Sequence, residues 1–263
     1  MAKLWAFFDA VVGGLSVGTP GTPRLMEEAH RKWGKANWGS LLEPAIALAA
    51  DGFVVSERMA GSIARDADRL SRFASTAAYF VPEGEPLAAG TTLTNEDYAD
   101  VLRQMAERGA DVIYEGPIAE DIVSTVRNAE GNPGLLSLSD LAAYRVIERP
   151  AVCVDYRGAD VCGMGPPSSG ALTVGQILGM AAQFDLPGLG PDSAESWRII
   201  GDASRLAFAD RGRYMADSDF VPMPTHGLVN PVYLEERAAL IGETDAALES
   251  VAPGSPEWDH AML

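Results

Sequence analysis

One stretch, running from Val152 to Gly179, constrains the fold of this chain more than any other. Val152, Val154 and Tyr156 recur with a period of two, which predicts one face of a β-strand. Arg157-Gly158 is typical of a tight turn, and residues 159–164 then form the returning strand of a hairpin. The pattern therefore predicts a small antiparallel sheet in the second half of the chain.

A stiff turn and a helix follow this hairpin. Pro166 and Pro167 cannot donate to a β-ladder, so strand pairing ends before them. In the following helix, predicted over 171–180, one face carries four residues spaced three or four apart: Leu172, Gly175, Gln176 and Gly179. The small residues at 170, 175 and 179 predict that this helix lies close to another element.

Ser168-Ser169-Gly170, at the start of this helix, is the first candidate for a functional site, because such a sequence can hold an anion or a nucleophile. No Gly-x-Ser-x-Gly motif is present. A serine triad would need either serine to meet His226 and Asp217 from distant loops. We therefore interpret 166–170 as a rigid turn that sets the helix against the sheet.

Charge and apolar content exclude several classes of function. The 263 residues carry 20 Lys plus Arg against 37 Asp plus Glu, a formal net charge of -17. Such an acidic chain is a poor partner for nucleic acid or an anionic membrane surface, both of which attract basic proteins. No apolar run is long enough to span a bilayer, and residues 4–12 are not interpreted as a signal peptide, because they contain Asp9 and no convincing cleavage site follows. These features do not assign the chain to a cellular compartment.

Cys153 and Cys162 are the only cysteines, and the predicted hairpin places them on adjacent strands. A cross-strand disulfide is geometrically conceivable, but we favour two buried free thiols. Neither cysteine has a neighbouring histidine or a third cysteine, so the sequence predicts no zinc site.

The rest of the chain predicts a mixed, helix-rich α+β fold. Residues 7–14 resemble a strand that enters a Gly-rich loop over 13–21, which lacks the Lys and the spacing of a phosphate-binding loop. A capping box at Ser40 and Glu43 predicts a helix start, and residues 75–95 are predicted to be irregular. Other helices are predicted over 22–33, 40–50, 56–71, 96–108, 117–127, 138–144, 193–215 and 231–241. Residues 243–263 are polar and Pro-rich, and we expect a disordered tail there.

Three acidic residues of the long predicted helix could be interpreted as paired carboxylates: Glu195, Asp202 and Asp210. Arg205, Arg211 and Arg213 lie at helical spacing from them, so we predict an ion-paired outer face instead. Trp197 is predicted to face the core. His30 is expected on a polar helix face, and His226 in a Pro-rich surface loop.

Several motifs in register resemble the large subunit of the gamma-glutamyltranspeptidases, which are N-terminal-nucleophile hydrolases. The resemblance covers roughly residues 7 to 242. The similar stretches, in chain order, are Asp9-Ala-Val-Val-Gly-Gly14, Ser16-Val-Gly-Thr-Pro-Gly21, Trp38 to Gly52 with its end Glu43-Pro-Ala-Ile-Ala-Leu-Ala-Ala-Asp-Gly52, Gly109-Ala-Asp111, Tyr114-Glu-Gly-Pro-Ile-Ala119, Leu138-Ser-Asp-Leu-Ala-Ala-Tyr144, Tyr156-Arg-Gly158, Pro166-Pro-Ser-Ser-Gly170, Leu206-Ala-Phe-Ala-Asp-Arg211, Asp217 with Asp219-Phe220, and Leu228 to Tyr233.

The resemblance implies that the chain, over residues 1–242, is a large-subunit region of an αββα sandwich. The family cleaves γ-glutamyl amides such as glutathione with a threonine that becomes N-terminal after self-cleavage. We expect that threonine, the substrate-binding acid and serines, and a carboxylate-binding arginine to lie outside this sequence. No catalytic, substrate-binding or metal-binding residue is therefore assigned to it, and no cofactor is expected. The implied partners are the small subunit of the same precursor and a γ-glutamyl substrate.

Two alternatives remain open. The same segment could belong to a cephalosporin or glutaryl acylase, because the specificity residues of both kinds of enzyme would lie outside it. It could also be a non-catalytic, truncated scaffold whose uncovered apolar helix faces make it associate.

Overall fold

The computed structural model describes residues 7–242 and 251–258, and the chain divides into two compact units, Met1–Val146 and Ile147–Leu263. The elements of the first unit, in order, are α1 (Phe7–Val11), a 3-10 turn (Gly14–Ser16), α2 (Thr22–Trp33), α3 (Trp38–Ala50), β1 (Phe53–Val54), α4 (Glu57–Arg65), α5 (Ala67–Leu70), α6 (Ala74–Phe80), a 3-10 turn (Pro82–Gly84), β2 (Thr92–Leu93), α7 (Glu96–Arg108), α8 (Asp111–Tyr114), α9 (Pro117–Arg127) and α10 (Leu138–Ala143). Those of the second are β3 (Ala151–Tyr156), β4 (Ala159–Met164), α11 (Gly170–Ala181), α12 (Leu186–Leu189), α13 (Ala194–Tyr214), a 3-10 turn (Gly227–Val229) and α14 (Pro231–Ala238).

The predicted fold class is confirmed: the fold is mixed α+β and rich in helix. Within the described residues the sheets are two antiparallel pairs, β1 with β2 and β3 with β4. No helix of this part of the chain is long and apolar enough to cross a membrane.

The first unit is built around α7 and the short helices that follow it. Leu102 and Met105 of α7 are buried with Val112, Ile113 and Tyr114 of α8. Helix α3 packs along α7, and Trp38 Nε1 donates to Met105 O at 2.8 Å. Asn95 caps α7 by accepting from Tyr98 N, and Gly109 ends it, in agreement with the helix predicted over 96–108.

The second unit is built around α11, which packs against α13, α14 and β3. Its predicted buried face is confirmed, since Leu172, Gly175, Gln176 and Gly179 are all buried. A methyl group at position 175 would lie 2.4 Å from Val154 Cγ2, and one at position 179 would lie 2.4 Å from Leu234 Cδ1. The close approach predicted from the small residues is thus present at 175 and 179.

The prediction of free, buried cysteines is wrong: Cys153 and Cys162 form a disulfide, with Cα atoms 4.1 Å apart. The hairpin register places them directly opposite each other. Both are exposed, because Val152 and Val154 pack on the core and Cys153 occupies the alternate face of the strand.

Several element predictions in the first unit are also wrong. Residues 7–11 form a helix instead of a strand, since a short apolar run does not distinguish the two. Helix α3 begins at Trp38 with Asn37 as its cap, because the Asn37 side chain accepts from Ser40 N and thereby displaces the predicted Ser40–Glu43 box. The helix predicted over 56–71 is divided at Asp66. Residues 75–95, predicted to be irregular, include most of α6 and all of β2.

Residues 251–258 pack against the rest of the second unit: Tyr214 Oη donates to Gly254 O at 2.7 Å, and the ring centroids of Tyr214 and Trp258 lie 6.2 Å apart. These contacts differ from the disordered tail expected over 243–263. The remainder of that tail, 243–250 and 259–263, lies outside the described residues.

Candidate functional site

The Gly-rich loop over 13–21 is held at its start by the segment that follows α9. Gly14 N donates to Asn132 O at 2.7 Å, and Asn132 Nδ2 donates to Val12 O at 3.2 Å. A methyl group at position 14 would lie 2.1 Å from Val126 O, so only glycine allows this backbone approach. The glycine at position 14 is thus required by the packing of the loop against the end of α9.

The end of the loop is held by Tyr114, whose side chain is buried. Its hydroxyl donates to Pro20 O at 2.7 Å and accepts from Arg24 N at 3.2 Å. The ring stacks on Tyr144 with a centroid separation of 5.8 Å, and burial raises the pKa of the Tyr114 hydroxyl. The hydroxyl thus stays protonated and serves as a fixed hydrogen-bonding group.

An open cleft of about 460 Å³ lies between these two anchors. The loop contributes Leu15, Val17, Gly18 and Thr19, and the opposite wall contributes Leu135, Leu136, Asp140, Ala143 and Tyr144. The Ser137 hydroxyl and backbone N–H hold the pKa of Asp140 below its usual range. The lining contains one acid and no cation, so the cleft does not suit a phosphate, in agreement with the sequence interpretation.

The second polar site is a buried cluster around Asp210 of α13, which is 1% exposed. Gln176 Nε2 and Tyr233 Oη donate to Asp210 Oδ2 at 2.9 and 2.7 Å. Arg237 Nη2 and Gly254 N donate to Asp210 Oδ1 at 3.2 and 2.7 Å. Burial and the bond to Asp210 raise the pKa of Tyr233, which therefore remains a donor at all ordinary pH values.

The predicted outer acidic face of α13 is therefore wrong for two of its acids. Asp202 and Asp210 are buried, at 2% and 1% exposure, while Trp197, predicted in the core, is 64% exposed. The predicted ion pairing of Glu195 and Asp202 is present, but Arg198 pairs with both of them and Arg205 pairs with Asp202. The apolar stripe Ala203, Leu206 and Ala207 continues into Asp210 at helical spacing, and that signal in the sequence could have revealed its burial.

The serines of 168–170 have structural partners. Ser169 Oγ accepts from Arg211 Nε at 3.0 Å, and Ser168 Oγ accepts from Gly170 N at 3.4 Å. A cation on Ser169 is the opposite of the base that a nucleophilic serine needs. Asp217 Oδ1 accepts from Asp219 N at 3.0 Å, and His226 is exposed. The arrangement supports the interpretation of 166–170 as a turn.

His30 of α2 contacts the backbone of the loop that follows: its Nε2 lies 2.8 Å from Ala36 O. Throughout residues 7–242 and 251–258, no group of three or more His, Cys, Asp or Glu side chains is arranged to hold a metal ion.

The geometry of both units is similar to that of solved enzymes. The structure superposes on the crystal structure of Helicobacter pylori gamma-glutamyltranspeptidase with a TM-score of 0.88 and 33% identity, covering 95% of this chain and 71% of that one. The fold is accordingly that of the N-terminal-nucleophile hydrolases.

The sequence comparisons specify the family. Residues 3–261 match the family model for gamma-glutamyltranspeptidase. The glutathione hydrolase proenzyme of Escherichia coli is 38% identical over 242 residues, which are 91% of this chain and 41% of that protein. The acylase ACY 1 proenzyme of a Pseudomonas species (strain SE83) is 35% identical over 88% of this chain and 41% of its own length. This chain belongs to the gamma-glutamyltranspeptidase family and spans about two fifths of the length of these curated relatives.

Proposed function

We propose that the complete protein is a γ-glutamyltranspeptidase or γ-glutamyl hydrolase that cleaves γ-glutamyl amides such as glutathione, and that this chain is its large-subunit segment. The observation that carries the proposal is the match over residues 3–261, together with the 38% identity to a glutathione hydrolase proenzyme.

The proposed reaction needs a threonine that lies outside this chain. Its hydroxyl attacks the γ-amide carbon while its own α-amine takes the proton. The amide C–N bond breaks, the amine leaves with a proton, and a γ-glutamyl ester of the threonine remains. Water or the amine of an amino acid then attacks that ester and releases glutamate or a new γ-glutamyl amide. The threonine supplies nucleophile and base, so the reaction calls for no cofactor.

The proposed role of the described residues in this chemistry is structural. Internal hydroxyls such as those of Ser168 and Ser169 have structural contacts, and no residue of this chain is assigned a catalytic or substrate-binding role. The proposed partner is the small subunit of the same precursor. Its support is that the relatives from Escherichia coli and Pseudomonas are both proenzymes.

The test uses the full-length parent and this chain side by side. The parent is expected to divide into two polypeptides on denaturing gels and to release the anilide from γ-glutamyl-p-nitroanilide. This chain alone is expected to release none above buffer. Hydrolysis by the purified chain would overturn the assignment of the catalytic groups to the rest of the protein. A parent that neither divides nor hydrolyses would overturn the proposed function.

The second candidate function is that of an amidase acting on acyl side chains such as glutaryl. The 35% identity to an acylase ACY 1 proenzyme favours it. Comparing kcat/KM of the full-length parent on a γ-glutamyl and a glutaryl anilide separates the two. The glutaryl substrate lacks the α-amino group, so a strong preference for γ-glutamyl indicates a site that binds that amine.

A further inference from the structure

Asp210 accepts hydrogen bonds from four donors that belong to three separate parts of the second unit. They are Gln176 of α11, Tyr233 and Arg237 of α14, and the backbone N–H of Gly254. A carboxylate offers about four acceptor positions, so each oxygen here carries two donors. An amide in place of the carboxylate would keep one acceptor oxygen and turn N–H groups toward the other donors.

The segment 251–258 is bound by the same cluster through several atoms. Arg237 Nη2 donates to Ala252 O at 3.2 Å, and Tyr214 Oη donates to Gly254 O at 2.7 Å. Both members of the buried Asp210–Arg237 ion pair therefore contact the segment. The contact is close, because a methyl group at position 254 would lie 2.2 Å from Tyr233 Oη.

The second buried acid of α13 provides a contrast. Asp202 pairs with Arg198 and Arg205 of its own helix, at 3.1 and 3.4 Å. A buried acid of α13 can thus find its ion-pair partners within its own helix. The donors on Asp210 instead join α11 and α14 to a segment near the end of the chain.

We propose that Asp210 is a positioning residue that clamps residues 251–258 to α13 and α14, and that this clamp holds the following chain of the precursor in place for self-cleavage. The second half of the inference rests on the proposed function, in which the threonine lies beyond this chain. A self-cleaving peptide must be held in a near-attack geometry, and a shift of about 1 Å can slow such a step about a hundredfold. Asp210 acts in this step through the backbone that it binds.

The clamp itself can be tested in this chain by amide hydrogen exchange. In Asp210→Asn we expect exchange over 251–258 to accelerate about tenfold or more relative to the wild type, because the Gly254 N–H loses a charged acceptor. Asp202→Asn is the matched control, since it neutralises the other buried acid of the same helix. Equal acceleration over 251–258 in both variants would overturn the clamp.

A second variant leaves Asp210 and its side-chain partners unchanged. Gly254→Ala places a methyl group against Tyr233 Oη and is expected to release the segment while the core stays folded. If Asp210→Asn does not fold, Gly254→Ala decides the question by the same exchange measurement. Protection over 251–258 that survives Gly254→Ala would contradict the inference.

The consequence for self-cleavage is tested in the full-length parent, at a temperature where circular dichroism shows each variant folded. Asp210→Asn and Gly254→Ala are expected to lengthen the half-time of division into two polypeptides about tenfold to a hundredfold, and Asp202→Asn much less. A folded Gly254→Ala precursor that divides at the wild-type rate would overturn the positioning role. A wild-type precursor that does not divide would instead refute the proposed function. The hydrogen-exchange experiment would still test the clamp in that case.

Discussion

Asp202 and Asp210 show how strongly the role of a residue depends on its surroundings. The two carboxylates stand eight positions apart on α13 and are both buried, yet Asp202 pairs along its helix while Asp210 joins separate elements. Removing one partner of a buried ion pair leaves the other charge without compensation, which is why such sites tolerate substitution poorly. The sequence interpretation placed both acids on an exposed face beside arginines, whereas the structure buries them.

At the same scale, Asp140 is expected to make stability depend on pH. Folding holds its pKa below the ordinary value of 3.8, because the Ser137 hydroxyl and backbone N–H donate to the carboxylate. The stabilising contribution is therefore fully present above that value and is lost as the pH falls through it toward the pKa of the folded state. Urea unfolding of wild type and Asp140→Asn should differ at about pH 7 and differ much less at about pH 3.

Ser137→Ala is the control for this effect. Without the hydroxyl, the pKa of Asp140 rises toward its ordinary value, and the pH dependence becomes shallower. A difference between wild type and Asp140→Asn that is as large in acid as at neutral pH would contradict the explanation.

Among the elements, the hairpin β3–β4 illustrates both the strength and the limit of period-two patterns. The alternation predicted the strands and the face formed by Val152 and Val154, which pack on the core. It also places Cys153 on the opposite face, where the register pairs it with Cys162. Whether the two opposed thiols form a disulfide is decided by the folded structure, because it depends on the register of the two strands and not on either strand alone.

Reduction of this disulfide is expected to destabilise the second unit. The bridge closes a loop with a sequence separation of 9, and removing such a cross-link costs about 2–3 kcal/mol in the chain-entropy model. Thermal unfolding with and without dithiothreitol measures the effect. The double variant Cys153→Ser with Cys162→Ser should have a lower Tm than the oxidised wild type, and dithiothreitol should not change it. Full reduction, shown by thiol titration, with an unchanged Tm would contradict this expectation.

The packing of α11 leads to a prediction about its glycines. Gly175→Ala would place a methyl group 2.4 Å from Val154 Cγ2, and the β-branched valine cannot easily rotate away. We expect a loss of about 1–2 kcal/mol in the free energy of unfolding, even though alanine favours helix. Gly201→Ala on α13 is the matched control, because nothing lies within 4 Å of a methyl group there.

Chemical denaturation of the two variants measures this difference directly. Gly201→Ala should be neutral or gain up to about 1 kcal/mol from helix propensity alone. If both alanine variants are equally stable, close packing is not the reason for glycine at position 175.

At the scale of the whole molecule, the chain leaves many large apolar side chains exposed. They include Trp33 at 67%, Val54 at 65% and Leu48 at 56%. Leu48 also lines an apolar cleft of about 510 Å³, together with Phe53, Tyr79, Leu93 and Tyr98. Exposed apolar surface of this kind is typical of an interface that another part of a protein covers.

The isolated chain is therefore expected to associate. Light scattering coupled to size exclusion should give a mass above 27.8 kDa that rises with concentration. Leu48→Glu should reduce the association, and Ser71→Glu, which introduces the same charge at an exposed polar position, should not. A clean monomer at all concentrations would contradict the interpretation of this apolar surface as an uncovered interface, and it would also count against the scaffold alternative.

The sequence by itself determined the family, the fold class, the hairpin with its helix, and most helix starts from α7 onward. The family follows from the resemblance of several motifs in register, while the fold class, the hairpin and the helix starts rest on local physics: periodicity, caps, and the conformational limits of glycine and proline. It failed where short apolar runs or competing caps left two local structures nearly equal in free energy, as at residues 7–11 and at Asn37.

Only the tertiary structure decided which polar groups are buried together. The Asp210 cluster joins α11, α13, α14 and the segment 251–258, and the disulfide depends on strand register. The physical reason is that the burial of a carboxylate is favourable only when donors from distant parts of the chain meet it at once. No local pattern in the sequence specifies which donors surround the carboxylate, although the apolar stripe that runs into Asp210 indicates that this side chain is buried.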